Sequence, residues 1–213
     1  MKNSDRFNSS IQNNIFVILI VVLVLGATTF GRNAVLHDEV SAWSDVIQKS
    51  PMKGRAFDAL GYYYMSVGDY RGAVNSYLEA VRREPYFDDV HLDLARAYER
   101  CGEYEKAIKA AQNAVYWTEF WDRNKARHHI FLGDLYFKVL NLPGAMKEFA
   151  KASRIEPEND YLYLKMGLIY RASGNFDEAV MQLQKAIALA PNNKINKSNL
   201  DEVYVLKLKQ SRK

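Results

Sequence analysis

The chain has 213 residues, of which 48% are hydrophobic and 25% are charged, the composition of an ordinary globular protein. Eleven glycines and five prolines are few for this length and argue against a loop-rich β architecture, and a single cysteine excludes an intramolecular disulfide or a thiolate zinc site. The net charge of +4 is too small to favour a nucleic-acid binder. We therefore expect a helical protein with no nucleic-acid partner.

The N-terminal region contains the most apolar segment of the chain. Residues 7–31 have no charged side chain, and residues 15–30 are almost wholly apolar. Lys2 and Arg6 precede this segment, as they would in a cleaved signal peptide or in an uncleaved signal anchor. Because the residues after it form poor cleavage sites, we expect a short tail over 1–13 and a transmembrane signal-anchor helix over 14–31. The alternative is cleavage near residue 31, which would release a soluble product.

The charges that flank this segment predict an orientation. Lys2 and Arg6 lie before the apolar segment, and Arg32 lies after it. This small excess favours an amino terminus in the cytosol, because positive residues tend to remain on the cytoplasmic side. We therefore expect a single-pass membrane protein, in the inner membrane if it is bacterial, with the rest of the chain outside the cytoplasm.

Four later segments come into register when Gly61, Ala95, Gly133 and Gly167 are aligned, at spacings of 34, 38 and 34 residues. Each segment combines a Leu-Gly or similar pair with a later tyrosine and alanines. In the first segment the pattern residues are Leu60, Gly61, Tyr64, Ala73, Tyr77, Ala80 and Pro85, and in the third they are Leu132, Gly133, Tyr136, Ala145, Phe149, Ala152 and Pro157. This pattern resembles the tetratricopeptide repeat (TPR) family, whose unit is a helix pair of 34 residues.

The resemblance implies an all-α fold. We expect an α-solenoid of four helix pairs, because no single pair can bury its apolar face alone. The four units are expected at 54–87, 88–121, 126–159 and 160–193. Apolar periodicity also predicts flanking capping helices, one within 32–53 and one within 194–213, where the chain ends in a basic tail. The predicted transmembrane helix precedes them all.

A second resemblance concerns the segment that leads into the repeats. Arg32, Asn33, Trp43 and residues 49–51 are similar to the junction in large membrane proteins that join a multi-span glycosyltransferase-like body to a TPR tail. That tail lies outside the cytosol in such proteins. The similarity implies an alternative function, as an accessory subunit of a glycan-processing or polysaccharide-export machine.

No catalytic motif is found in the sequence. It has no GxSxG, Walker or strand-linked GxGxxG pattern. His128 and His129 are adjacent, so on a helix they point about 100° apart and do not share one face. We therefore expect no enzymatic activity, no cofactor and no metal site, with the histidines at the surface or in a groove.

The family resemblance implies a binding site in a concave groove lined by the first helix of each unit, where tetratricopeptide proteins hold an extended peptide or a partner helix. The matching positions hold Arg55, Tyr62, Met65, Leu92, Arg96, Arg100, Arg127, Ile130, Phe137, Lys138, Tyr161, Leu164 and Arg171. We expect Arg96, Arg100 and Arg127 to bind an extended, acidic and hydrophobic protein segment. The alternative is that these arginines pair with Asp89, Glu99 and Asp134 on the same wall.

Some relatives clamp a terminal carboxylate with Lys and Asn in their first helices. The corresponding positions here hold Asp58, Tyr62 and Asp93, and two carboxylates would repel such a ligand. Binding of that kind is therefore not expected.

Four extra residues separate the second and third units, within an aromatic stretch that contains Tyr116, Trp117, Phe120 and Trp121. Glu119 stands where the other units have Pro. The aromatic residues Trp117, Phe120 and Trp121 form either an exposed docking patch or the packing surface of an overlong helix. Taken together, the sequence predicts a non-enzymatic, membrane-anchored TPR adaptor or scaffold that binds a protein partner, for a membrane or envelope assembly.

Overall fold

The computed structural model describes residues 40–121 and 125–211. The chain divides into two units, with the boundary between Met52 and Lys53. The first contributes helix α1, described over residues 40–49, in which Lys49 forms an ion pair of 2.6 Å with Asp45 one turn earlier. The predicted tail over 1–13 and the predicted membrane helix over 14–31 lie outside the described residues.

The second unit is all α-helical over its described residues, 53–121 and 125–211. Its helices are α2 (Gly54–Val67), α3 (Tyr70–Arg83), α4 (Asp88–Arg100), α5 (Tyr104–Phe120), α6 (Ala126–Lys138), α7 (Leu142–Ile155), α8 (Asp160–Ala172), α9 (Phe176–Leu189) and α10 (Lys194–Gln210). None of the helices in these described ranges is long and apolar enough to cross a membrane.

The helices of this unit pack in the order of the chain. Helices α2 and α3, α4 and α5, α6 and α7, and α8 and α9 form pairs, and each second helix also contacts the first helix of the next pair. Two clusters of buried side chains run through the stack, one centred on α3 to α6 and the other on α6 to α10. This arrangement confirms the predicted all-α solenoid of helix pairs.

Small residues set the distance between the helices of a pair. A Cβ atom added to Gly61 would lie 2.6 Å from the ring of Tyr77, and one added to Gly133 would lie 2.8 Å from the ring of Phe149. Contacts this short do not occur between real side chains, so neither position tolerates a larger residue without displacement of its neighbour. The residues that set the repeat period therefore also set the packing within each pair.

The turn inside each pair has a left-handed residue after its first helix. Gly68 adopts a φ of 83° at the end of α2, and the side chain of Asp69 then accepts a hydrogen bond of 2.9 Å from the backbone nitrogen of Gly72 to cap α3. Leu140 takes this conformation in the third pair, with a φ of 60°. The reversal of chain direction between the two helices of a pair thus depends on the left-handed backbone conformation of one residue at the turn.

Helix α10 packs on α9 as a single terminal helix. Val203 is buried, and Asn196 is fully buried with its amide nitrogen donating to Asp160 Oδ2 at 2.9 Å and to the Ala186 carbonyl at 3.3 Å. Tyr204 and Leu208, which belong to the apolar pattern of this helix, are exposed. The helix therefore contacts the stack through a narrower strip than the apolar pattern predicts.

Candidate functional site

The first helices α2, α4, α6, α8 and α10 form a surface that we call the first-helix wall. It contains the positions that the repeat pattern assigns to the binding groove. Ion pairs join neighbouring first helices along this wall: Arg127 to Asp89, Lys138 to Glu99, Lys165 to Asp134 at 2.9 Å, and Arg171 to Glu202. Much of the positive charge expected to meet a ligand is therefore neutralised within the protein.

The other groove arginines also have partners. Arg96 forms an ion pair of 2.9 Å with Asp93 on its own helix, and Arg100 donates a hydrogen bond to the Tyr70 hydroxyl while its guanidinium lies 4.7 Å from the Tyr70 ring centre. Arg127 thus pairs with Asp89 on the same wall, which is the alternative that the sequence left open. Arg96 pairs with a different carboxylate, and Arg100 contacts the second helix of the preceding pair.

The apolar groove positions divide into exposed and buried residues. Tyr62 is 73% exposed, whereas Leu92 is only 1% exposed and Leu164 is also buried, so these two leucines have little surface to offer a ligand. Met65, Ile130 and Phe137 are partly buried against the core, and Arg55 is exposed at the start of α2. The apolar surface open to a partner is therefore smaller than the sequence pattern predicts.

Tyr161 is held within the wall. Its hydroxyl donates to Asp134, with oxygen–oxygen distances of 2.6 and 2.7 Å to the two carboxylate atoms. Burial and this carboxylate raise the pKa of the Tyr161 hydroxyl. The Lys165 ammonium lies 4.9 Å from the Tyr161 ring centre and 5.1 Å from that of Phe137, so a cation of the protein covers both rings.

Asp58 differs from the acidic residues of α4, α6 and α8. Within residues 40–121 and 125–211 it has neither a hydrogen-bond donor nor an ion-pair partner. Partial burial, followed by the carboxylates of Asp93, Asp89 and Glu84, raises its pKa to about 6. At this position the wall has a carboxylate whose charge is not compensated by a neighbouring cation or donor of the described chain.

We expect the substitution Asp58→Asn to stabilise the protein at pH 7, by about 1 kcal/mol once its partial exposure is taken into account. The folded protein binds a proton at Asp58 more readily than the unfolded chain, so stability at this position is gained as the pH falls through 6 towards 4. The advantage of the variant should therefore disappear near pH 4. Chemical denaturation at pH 7 and near pH 4 measures the stability difference between Asp58→Asn and the wild-type protein. The variant Glu178→Gln, at an exposed position of α9, is the control.

A buried polar network lies beside the four-residue insertion. Asp88, Thr118 and His128 are almost completely buried, and Lys125 is within 3.0 Å of Asp88 and 2.8 Å of Asp89. The Thr118 hydroxyl is 2.9 Å from Asp88 Oδ2 and also contacts His128 Nδ1, so α4, α5 and α6 are joined through their side chains. No short motif marks this network, because its members are far apart in the sequence.

The environment of His128 determines its charge. The Thr118 hydroxyl donates its proton to Asp88 Oδ2, so its oxygen can accept from His128 Nδ1, which then carries the proton of the neutral ring, while Nε2 lies 3.1 Å from Asp89 Oδ1. Burial lowers the pKa of His128 to about 4, against the opposing effect of the carboxylates of Asp88 and Asp89. The expectation of a surface or groove histidine is therefore wrong.

His129 is also buried, with Nδ1 2.8 Å from Glu148 Oε2. Asp88, Asp89 and His128 place possible ligand atoms within 4.8 Å of one another. The Lys125 ammonium already supplies positive charge between the two carboxylates. The group is thus satisfied as an internal ion pair and hydrogen-bond network.

The insertion also extends α5 to 17 residues, compared with 14 in α3. Its aromatic patch, consisting of Tyr116, Trp117, Phe120 and Trp121, is packed mainly on itself, with ring centres 5.1 to 6.2 Å apart. Tyr116, Phe120 and Trp121 are each about half exposed or more. The helix is overlong as one alternative predicts, but these three rings are not buried against the next pair.

The stacked helix pairs define a helical-repeat solenoid of the kind typical of non-enzymatic scaffolds. Family models described as tetratricopeptide repeat match residues 59–124 and 161–193. The chain therefore contains tetratricopeptide repeats, as the 34-residue period predicts.

Similar proteins support the same assignment. A TPR repeat-containing protein YpiA of Bacillus subtilis is 27% identical over 139 residues, which cover 64% of this chain and 31% of YpiA. A BBSome complex member BBS4 homolog of Drosophila melanogaster is 20% identical over 96% of this chain and 42% of that protein. The chain thus spans less than half of the length of these curated relatives.

Among solved structures, the MamA protein superposes with a TM-score of 0.67 at 22% identity, covering 72% of this chain and 82% of MamA. At this identity the similarity shows the fold alone. These relatives give no support to the glycosyltransferase-like junction predicted from residues 32–51.

Proposed function

We propose that this protein is a membrane-anchored scaffold that binds a protein partner along its first-helix wall. The observation that carries the proposal is the wall itself, on which exposed Tyr62 and partly exposed Met65, Ile130 and Phe137 lie among ion pairs that the protein has already formed. Apolar and aromatic anchors surrounded by polar groups are characteristic of protein-binding surfaces. The partner is an extended hydrophobic segment or a helix, within a membrane or envelope assembly.

The anchor in this proposal is the segment over 14–31. Its support is the apolar, charge-free sequence between Arg6 and Arg32, which suits a hydrocarbon core crossed by a single helix. The small bias of flanking positive charge favours repeats outside the cytoplasm, and in a bacterium the proposed membrane is the inner one.

The full-length chain is expected to remain intact and to stay with membranes after a carbonate wash. Intact-mass measurement and the wash fraction test both points. The variant Val22→Arg with Leu23→Arg should release the protein, because each arginine at the centre of a span costs roughly 3 kcal/mol. Loss of about the first thirty residues from the wild-type protein, or its release by carbonate, would contradict the anchor.

The wall is tested by replacing two of its exposed side chains, Tyr62→Ala together with Arg96→Ala. We expect recovery of co-purifying proteins with the tagged full-length chain to fall roughly tenfold, because loss of one anchor costs about 1 to 2 kcal/mol of binding. Circular dichroism should change little, since exposed charges contribute little to stability. Quantitative mass spectrometry of the recovered proteins is the measurement.

The matched control for this experiment is Met181→Ala together with Lys147→Ala. Both side chains are exposed on second helices, so the control removes a similar apolar and basic surface outside the wall. Equal recovery with the wall variant and the wild-type chain would show that the partner binds elsewhere, and the aromatic patch would be the next surface to change.

A further inference from the structure

We infer that the first repeat binds a positively charged side chain of the partner, between Asp58 of α2 and the end of Tyr77 from α3. This inference rests on the proposed function, since it gives the chemistry of one position in the wall. It starts from the ion pairs that join α4 to α6, α6 to α8 and α8 to α10. Within the described ranges, no ion pair joins α2 to α4.

The step from α2 to α4 instead brings acidic groups together. The carboxylates of Asp93 and Asp89 on α4 act on Asp58 with the same sign of charge, and so does Glu84 from the loop before α4. Asp93 is paired with Arg96, and Asp89 is paired with Lys125 and Arg127. Glu84 accepts a hydrogen bond of 2.8 Å from the Gly54 backbone nitrogen, so Asp58 is the carboxylate of this group with neither a cation nor a donor among the described residues.

Tyr77 provides a second and independent observation. Its ring packs against Gly61 and the side chain is only 1% exposed, yet its hydroxyl forms no hydrogen bond within the described residues. The charged groups that act on this hydroxyl are Asp93, Asp58 and Arg96 of the wall. The phenol ring from the second helix therefore lies against α2 at Gly61, about one turn after Asp58.

The phenol is particular to the first repeat. The aligned positions in the next three repeats hold Ala111, Phe149 and Leu183, of which Phe149 and Leu183 approach Gly133 and Gly167 in the same way. Phe149 and Leu183 thus pack against their glycines without a hydroxyl group. The Tyr77 hydroxyl oxygen has no hydrogen-bond partner within the described residues, so it can accept a hydrogen bond from a donor that is supplied from outside.

An ammonium or guanidinium group fits these requirements. It donates hydrogen bonds, which both the Asp58 carboxylate and the Tyr77 hydroxyl oxygen can accept. It also reduces the repulsion between Asp58 and Asp93, whereas a carboxylate ligand would increase that repulsion. Tyr62, exposed one turn after Asp58 on α2, adds an aromatic ring beside the position. The partner segment therefore carries Lys or Arg at this repeat, in contrast to the acidic segment predicted from the arginines.

The experiment compares three pools of short extended peptides against the full-length chain in detergent. The pools share randomised hydrophobic and small residues and differ only at a fixed central position, which is arginine, its neutral isostere citrulline, or glutamate. We expect the arginine pool to bind roughly tenfold more tightly than the citrulline pool, the effect of one charge-assisted hydrogen bond. The glutamate pool should bind most weakly. Fluorescence anisotropy measures each apparent dissociation constant.

Two variants assign the preference to this position. Asp58→Asn should reduce the arginine preference to within about twofold without weakening citrulline binding, and it is expected to fold because it removes a repulsive charge. Tyr77→Phe keeps the ring against Gly61 and should reduce the preference in part. Glu178→Gln, an exposed carboxylate of α9, is the matched control and should leave the preference unchanged.

The outcomes separate this inference from the proposed function. Equal binding of the arginine and citrulline pools, a preference for glutamate, or an arginine preference that survives Asp58→Asn each overturns the cation position while peptide binding by the wall stands. Binding of none of the pools overturns the cation position and counts against the wall as a peptide site.

Discussion

Replacement of Gly133 by leucine is expected to lower the free energy of unfolding by about 3 kcal/mol. The Cβ atom alone would lie 2.8 Å from the ring of Phe149, which is completely buried, so the longer side chain must push α6 and α7 apart. For a chain of this size the loss corresponds to a fall of roughly 6 to 12 °C in the thermal midpoint. Thermal unfolding followed by circular dichroism measures the effect.

Two further variants separate crowding from other causes. Gly133→Leu combined with Phe149→Ala should recover part of the lost stability, because the smaller side chain leaves space for the leucine. Gly102→Ala has open space around its added Cβ but a φ of 78°, so it should cost only the backbone strain of about 1 kcal/mol. An unchanged melting curve for Gly133→Leu would contradict the close approach of α6 and α7.

The buried His128 is expected to make stability depend on pH. Its pKa is about 4 in the folded protein and near 6.5 in the unfolded chain, so between these values the unfolded chain binds more protons. The contribution of this residue is therefore present at neutral pH and is lost as the pH falls from 6.5 to 4. Between pH 7 and pH 4.5 the loss should amount to roughly 2 to 3 kcal/mol.

The variant His128→Gln isolates this effect. Asp58 changes stability in the opposite direction over the same pH interval, so the wild-type curve alone combines both. The stability difference between the wild-type protein and His128→Gln should be largest at pH 7 and should shrink, or change sign, by pH 4.5. Urea unfolding at the two pH values gives this difference, and an unchanged difference would contradict a neutral, buried histidine.

Much of the fold was predictable because helix packing repeats in the sequence. Gly61, Gly133 and Gly167 recur in register, and in the structure each lies against a large side chain from the second helix of its pair. The same contact is made in these three pairs, so its residue requirements appear at a regular interval. The exposed aromatic side chains near Trp121 were likewise visible in the sequence as an insertion that breaks the period.

The candidate site was predictable only as a set of positions. The sequence placed Arg96 and Arg127 on first helices, but their charges are used by Asp93 and Asp89, and Arg127 reaches its partner across 38 residues of sequence. Ion pairing between side chains of different repeats depends on how far one repeat is shifted and rotated relative to the next, which we call the offset between repeats. A residue pattern within one repeat does not contain that offset.

The sequence by itself determined the helix pairs, their order and their register, because small residues and apolar faces at a fixed period have one way to stack. The tertiary structure alone decided which polar groups are compensated. It buried His128 with Thr118 and Asp88, and it left Asp58 beside Asp93 with no cation. The physical reason is that charge compensation depends on distances of a few ångströms between helices that are far apart along the chain.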